Sequence, residues 1–257
     1  MRYYNPAEWA FFFDLDGTLI DIAATPDAVA IPHELPDLLA HLSLHTDGAC
    51  AIVTGRSIEA ADRMVSPVKL AVAGVHGGEM RMPDGMQASC TKARLTGAVR
   101  DAVHELRRRH PQLIVENKGL ALAVHFRLAP HLADEVRETL EQVAMLEGGA
   151  FCIQPGKMVF EILPANIDKG RALLAFMEEW PFRGRRPIAI GDDLTDERMF
   201  VMAKKLGGLG VRVGFDMAPS CATECLEDPR AVRKWISGLL QQDKTSGGKT
   251  SLATTPA

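Results

Sequence analysis

Apolar runs and amphipathic segments alternate along most of this chain. Five short apolar runs are typical of strands buried on both faces of a parallel sheet, at residues 10–13, 48–53, 70–75, 187–190 and 209–213. Patterns of helical period lie between or after them, at residues 32–45, 57–65, 168–180, 195–205 and 228–241. Ser57 and Thr195 are the expected N-caps of two of these helices. This alternation predicts an α/β fold with a doubly wound parallel sheet.

The middle of the chain departs from that rhythm. A helix at 95–110, paired strands at 113–116 and 120–127, a helix at 130–146 and paired strands at 151–154 and 158–163 form an αββαββ block. Such a block would separate the strands of a parallel sheet, so we expect a second, inserted α+β domain. The expected division is a core in two parts, 1–93 and 167–242, an inserted domain at 94–166, and a disordered tail at 243–257 rich in Ser, Thr and Gly.

Composition narrows the class of protein. The 257 residues are 47% hydrophobic and 24% charged, which is typical of a globular domain with a sizeable core. A net charge of −4 argues against a nucleic-acid partner. The five cysteines are few and odd in number, which favours reduced thiols and a cytoplasmic location. The longest apolar run, residues 9–13, is far shorter than a membrane span needs, so we expect no membrane partner.

Acidic residues follow the first predicted strand. Asp14 and Asp16 are separated by one residue, so in extended chain their carboxylates share a face and can surround a cation together with a backbone carbonyl. Gly17 allows the chain to turn there. An ordinary acidic turn after a buried strand is the alternative.

Polar residues also follow other predicted strands. Thr54 offers a hydroxyl at a strand end, where a helix cap is an equally good explanation. Lys169 stands at the start of a helix, where its charge opposes the helix dipole, and this favours a role in neutralising phosphate. Asp192, Asp193 and Asp196 follow the fourth strand, and so dense a set of carboxylates favours a hard cation, with Mg²⁺ the natural candidate.

These segments carry a family resemblance. DLDGT at 14–18, Thr54, Lys169 and GDDLTDE at 191–197 resemble, in order and rough spacing, the four motifs of the haloacid dehalogenase (HAD) superfamily of phosphotransferases. The inserted αββαββ block is similar to the C2-type cap of its sugar phosphatases. AGVHGGEMR at 73–81, VENKGLALAVHFR at 115–127 and QPGKMVFEILP at 154–164 further resemble the trehalose-6-phosphate phosphatase family, and the similarity covers about residues 9–240.

The resemblance implies a chemistry for the core residues. Asp14 would be the nucleophile, and Asp16 the general acid and then base. Thr54 and Lys169 would hold the transferring phosphoryl oxygens. The Mg²⁺ ligands would be Asp14, the backbone carbonyl of Asp16, and Asp192. The carboxylates of Asp193 and Asp196 would support these ligands and Lys169.

A sugar site is implied as well. Its polar residues on the inserted strands would line a common face, and Arg56, His76 and Gly77 would join them from the core; the expected cap residues are Glu116, Lys118, His125, Lys157 and Glu161. A solvated hairpin at 116–119, a core histidine at His125 and simple turn geometry at Gly77 are the alternatives.

The implied function is Mg²⁺-dependent hydrolysis of trehalose 6-phosphate in trehalose biosynthesis, through an aspartyl-phosphate, with a functional link to a trehalose-6-phosphate synthase. Two alternatives stay open. One is another C2-capped sugar phosphatase, acting on sucrose phosphate or mannosyl-phosphoglycerate. The other is a non-catalytic regulator that binds sugar phosphate.

Overall fold

The computed structural model describes residues 4–23, 28–215 and 219–246, the last five without side chains. The first part of the chain forms β1 (Trp9–Phe13), α1 (Leu35–His45), β2 (Cys50–Val53), α2 (Ile58–Val65), β3 (Ala71–Gly74), β4 (Glu79–Arg81) and β5 (Gln87–Ser89). The middle forms α3 (Gly97–Arg109), β6 (Ile114–Asn117), β7 (Leu122–His125), α4 (Ala133–Leu146), β8 (Phe151–Gly156) and β9 (Val159–Pro164). The last part forms α5 (Lys169–Met177), β10 (Arg186–Gly191), α6 (Leu194–Lys205), β11 (Leu209–Val213), β12 (Glu224–Leu226) and α7 (Pro229–Ser246).

The larger sheet is doubly wound, as the sequence predicts. Its strand order is β12-β11-β10-β1-β2-β3-β4-β5, with the strands from β12 to β3 parallel and the last two antiparallel. Phe11 and Phe13 of β1 pack in the apolar layer that contains α1, α2 and α7. Phe12, between them, packs in the opposite layer with α5 and α6. Because both faces are covered, the central strands are continuously apolar.

Three short strands of this sheet were absent from the sequence prediction: β4, β5 and β12. Each has only three residues, which is too short for a periodic pattern, and β5 is exposed throughout. Pairing with a formed neighbour therefore defines them.

The inserted segment forms a separate layer, called the cap below, and the αββαββ order is confirmed. Its antiparallel sheet has the order β6-β7-β9-β8, and α3 and α4 pack on one face through an apolar cluster that includes Val124 and Ile162. The domain boundaries at 93/94 and 166/167 stay predictions.

The start of α6 and the end of α7 differ from the sequence prediction. Ser57 is the N-cap of α2, as expected, but Thr195 is not the N-cap of α6. Asp193 takes that place, in a capping box closed by Asp196. Helix α7 continues to Ser246, beyond the predicted end at 241, so the predicted disordered tail does not begin at 243; residues 247–257 of that tail lie outside the described residues. Among the described helices, none combines the length and the apolar character needed to cross a bilayer.

Candidate active site

The carboxyl ends of the central strands form the floor of a pocket, and the cap sheet forms its roof. Phe13 pairs with Ile52 and Ile190, so β1, β2 and β10 end at one level. Most of the predicted site residues line this pocket: Asp14, Asp16, Thr54, Arg56, His76, Glu116, Lys118, His125, Lys157, Glu161, Lys169, Asp192 and Asp193. Gly77 does not line it; a β-carbon there would lie 3.0 Å from that of Ala172 on α5, at a φ of +98°.

A buried acidic cluster lies at the pocket floor. Carboxylate oxygens of Asp14, Asp192 and Asp196 all lie within 4.8 Å of one another. Lys169 lies between two of these groups, with its Nζ 2.9 Å from Asp14 Oδ1 and 2.7 Å from Asp196 Oδ1. Burial tends to lower the pKa of Lys169, but these two carboxylates more than offset it and raise the pKa. The ammonium therefore stays charged.

The negative charge of this cluster exceeds the charge that Lys169 supplies. Burial, with the neighbouring carboxylates, raises the pKa of Asp14 well above its usual range, although Lys169 acts in the opposite direction. Burial and Asp196 likewise raise the pKa of Asp192 to about 6. Crowded, desolvated carboxylates of this kind are stabilised by a cation, so the arrangement fits a divalent metal.

Asp196 supports the cluster. Its Oδ1 accepts a hydrogen bond from Lys169, and its Oδ2 accepts from the backbone N–H groups of Asp192 and Asp193, both at 3.0 Å. These bonds engage both oxygens of a fully buried carboxylate. The side chains of Asp14 and Asp192 are therefore the better metal ligands.

Arg56 lies on Asp16. Its Nε and Nη2 donate to the two oxygens of Asp16 at 2.6 and 2.7 Å, a bidentate pair. Both carboxylate oxygens of Asp16 are engaged by Arg56, and Asp16 is not among the carboxylates of the acidic cluster, so its backbone carbonyl is the better group to offer a metal. Gly17 is required beside it, because a β-carbon there would lie 2.2 Å from Asp192 Oδ2 and φ is +79°.

Thr54 is buried beside the acidic cluster. Its hydroxyl accepts a hydrogen bond from the backbone N–H of Arg56 at 3.2 Å. The next residue, Gly55, lies against the ring of His76, where a β-carbon would come within 2.7 Å. The turn after β2 is therefore packed closely against the segment that follows β3.

The cap presents a row of polar residues to the pocket. In the register of the cap sheet, Glu116 lies opposite Ala123, Ala123 opposite Glu161, and Glu161 opposite Gln154. Successive residues of a strand alternate between faces, so these four share one face. Lys118, two residues after Glu116, also lines the pocket.

Glu161 is the centre of an ion-pair network that joins cap and core. Lys118 Nζ donates to its Oε1 at 2.6 Å, and His76 Nε2 lies 3.2 Å from its Oε2. Burial tends to raise the pKa of Glu161, but Lys118 and His76 more than offset it and hold the pKa below its usual range. Glu116 Oε2 lies 3.2 Å from His125 Nε2, and this contact extends the network along the row.

Two further contacts cross between cap and core. Lys157, in the turn between β8 and β9, forms an ion pair with Asp192. Arg127, after β7, donates to the backbone carbonyl of Ala23. Arg127 and Gln154 line the pocket but were not among the predicted site residues. For Gln154 the signal was present, since a hairpin over 151–164 with its turn at Lys157 places it opposite Glu161.

The site thus combines a buried carboxylate at Asp14, an acidic cluster that fits a cation, an ammonium held by two carboxylates and a polar roof. Carboxylates and a lysine around a cation suit a phosphate group, whereas the roof offers paired donors and acceptors suited to hydroxyls. The arrangement can hold a phosphate ester of a polar alcohol.

Comparisons with known proteins agree with this chemistry. A probable trehalose-phosphate phosphatase of Sinorhizobium fredii is 43% identical over 231 residues, which cover 90% of this chain and 87% of the relative. The trehalose-6-phosphate phosphatase of Escherichia coli is 39% identical over 212 residues, covering 81% and 78%.

A solved structure supports the fold. The C-terminal domain of the Candida albicans trehalose-6-phosphate phosphatase superposes with a TM-score of 0.80 at 21% identity, covering 91% of this chain and 92% of that one. Residues 12–226 match the family described as trehalose-phosphatase, a span that includes the acidic cluster, the cap and nearly the whole larger sheet. The chain is therefore a member of the trehalose-phosphatase family.

Proposed function

We propose that this protein hydrolyses trehalose 6-phosphate to trehalose and phosphate, with Mg²⁺ as its metal. The observation that carries the proposal is the alignment of the buried cluster at Asp14, Asp192 and Lys169 beneath the polar row of the cap. The relatives from Sinorhizobium fredii and Escherichia coli bear trehalose-phosphate phosphatase names, which supports this substrate.

Asp14 is the proposed nucleophile. Its carboxylate oxygen forms a bond to phosphorus as the bond from phosphorus to the sugar oxygen breaks, giving an aspartyl-phosphate and the free sugar. Water then attacks phosphorus and restores the carboxylate. Mg²⁺, held by Asp14, Asp192 and the backbone carbonyl of Asp16, would reduce repulsion between carboxylate and phosphate and orient the phosphoryl oxygens. Lys169 and the Thr54 hydroxyl bind those oxygens from the protein side.

Asp16 is the proposed general acid and base. It donates a proton to the departing sugar oxygen, and it accepts one from the water that cleaves the intermediate. The resemblance assigns Arg56 to substrate binding, but in the structure its guanidinium forms a bidentate pair with the Asp16 carboxylate. We therefore assign Arg56 the positioning of that carboxylate. Asp193 and Asp196 position the metal ligand loop and Lys169.

The cap is proposed to bind the sugar. Trehalose offers hydroxyls and no charge, and Glu116, Lys118 and Glu161 offer charged acceptors and donors on the row above the floor. His76, His125 and Lys157 complete the walls. Because Glu161 contacts Lys118 of the cap and His76 of the core, binding there also favours cap closure.

The test is phosphate release with Mg²⁺ from trehalose 6-phosphate, sucrose 6-phosphate and mannosyl-phosphoglycerate. A kcat/KM highest for trehalose 6-phosphate is expected. Preference for another ester would replace the substrate assignment with that alternative, and binding without release would favour a regulator. A synthase that supplies the substrate is the expected functional partner, and a cytoplasmic location stays a prediction.

A further inference from the structure

Two pocket-lining side chains, Gln154 and His76, each have a buried polar atom without a hydrogen-bond partner among the described residues. Among the described residues, the Nε2 of Gln154 is buried and has no hydrogen-bond partner. A buried amide donor without an acceptor is destabilising, and folded proteins rarely keep one without a reason. In a binding site that reason is often an acceptor atom of the ligand.

The position of Gln154 favours a ligand acceptor. It lies opposite Glu161 in the cap sheet and therefore on the pocket face, at the β8 end of the polar row. Glu116 lies at the other end, on β6. A polyhydroxyl ligand against this face would therefore have an amide at one end of the row and a carboxylate at the other.

Nearby side chains already have partners. Glu161 is engaged by Lys118 and His76, and Lys157 is paired with Asp192. The Gln154 amide donor has no protein acceptor, and among these described side chains His76 Nδ1 also has no partner, although the other nitrogen of that ring pairs with Glu161.

We propose that Gln154 is a specificity-determining residue of the sugar site, whose side-chain amide donates a hydrogen bond to one hydroxyl oxygen of the bound disaccharide. This inference rests on the proposed function. A neutral donor adds selectivity because a sugar without an oxygen at that point leaves the amide unpaired again. Since Gln154 belongs to the cap sheet and not to the acidic cluster at the pocket floor, the bond is expected to contribute to binding of the sugar and not to the chemistry of the phosphoryl group.

The experiment compares Gln154→Leu with the wild type and with Gln112→Leu. Leucine keeps the approximate volume and removes the amide. Gln112 is an exposed glutamine of the cap outside the pocket, so its variant controls for a general change in the cap. Each protein is assayed with trehalose 6-phosphate, with p-nitrophenyl phosphate, and for inhibition by free trehalose; Tm verifies folding.

Loss of one neutral hydrogen bond predicts that kcat/KM for trehalose 6-phosphate falls about five- to ten-fold in Gln154→Leu. The inhibition constant of trehalose should rise by a similar factor, with p-nitrophenyl phosphate and the Gln112 variant unchanged. A role in folding alone would lower Tm and affect both substrates alike, and that result would overturn the proposal.

Monodeoxy analogues of trehalose 6-phosphate identify the bonded hydroxyl. The analogue that lacks it should be a poorer substrate for the wild type, yet Gln154→Leu should handle it as well as the parent compound. If every analogue loses the same factor in both proteins, Gln154 does not contact a hydroxyl and the proposal is wrong. A wild type that leaves trehalose 6-phosphate intact would instead overturn the proposed function, and this assignment with it.

Discussion

Substitution of Glu161 tests most directly whether the cap binds the sugar while the core carries out the phosphoryl chemistry. Changing Glu161→Gln keeps the volume and removes the charge. In the present structure its two oxygens contact Lys118 at 2.6 Å and His76 at 3.2 Å, and the side chain of Lys118 is only 7% exposed. A glutamine supplies one acceptor in place of two, and its NH₂ group faces a donor.

The expected fall in kcat/KM follows from the charge-assisted hydrogen bonds that Glu161→Gln weakens or removes. A hydrogen bond to a charged partner contributes about 1.5 to 3 kcal/mol, and stranding a fully buried charge costs about 3 to 5 kcal/mol. Lys118 keeps a second carboxylate, Glu116, at 4.0 Å, so the lower range applies. We expect kcat/KM for trehalose 6-phosphate to fall by roughly ten- to a hundred-fold. Because Glu161 also joins cap to core, both kcat and KM are expected to change.

The assay measures phosphate release from trehalose 6-phosphate and from p-nitrophenyl phosphate with the same enzyme preparations. The small aryl ester has no sugar to contact the cap row, so its hydrolysis should change little. Glu138→Gln, an exposed glutamate on α4, is the matched control and should behave as the wild type. Equal losses on both substrates would refute the reasoning, because Glu161 would then act through folding or through the core.

Three further predictions concern the core. Asp14→Asn removes the attacking charge with almost no change in volume, so both substrates should lose turnover while the circular dichroism spectrum stays native; substantial turnover by a variant free of wild type would reject the assignment. Removing divalent ions with EDTA should stop phosphate release, Mg²⁺ should restore it, and Ca²⁺ should restore it poorly because its looser coordination shell misplaces Asp14; full activity in protein shown by elemental analysis to be metal-free would contradict this. Arg56→Lys keeps the charge but loses the fork on Asp16, so it should slow trehalose 6-phosphate more than p-nitrophenyl phosphate, whose leaving group needs no proton. In an Asp16→Asn background the Arg56 substitution should add little, and additive losses would mean that Arg56 acts independently of Asp16.

The hydrophobic pattern alone was enough to predict the main strands and helices. Runs such as Phe11–Phe13 are apolar at every position because helices cover both faces of β1, and their shortness and the turn residues that follow them distinguish them from helices. The αββαββ block was visible for a different reason, because its helical periods and short paired strands interrupt the alternation of the larger sheet. The acidic cluster was predictable as well, because the carboxyl ends of parallel strands meet at one edge, so Asp14 and Asp192 had to lie close together.

Tertiary structure decided how those groups are paired. The order of the strands and the short edge strands β4, β5 and β12 depend on neighbours distant in sequence. Arg56 was expected to bind substrate, yet its fork lies on Asp16, 40 positions away in the chain. Thr195 and Asp193 are both suitable N-caps, and only the bonds of Asp196 to the preceding loop select Asp193.

The arrangement of the polar residues on the cap could also be predicted only in part from the sequence. Local alternation placed Glu116 and Glu161 on strands, and the hairpin turn places Gln154 opposite Glu161, but the register of β6, β7 and β9 was needed to bring Glu116 into the same row. Contacts between cap and core, such as His76 with Glu161 and Lys157 with Asp192, depend on how two separate layers pack. Sequence determines which side chains are available at each strand end, because that depends on periods of a few residues; which of them touch depends on long-range packing.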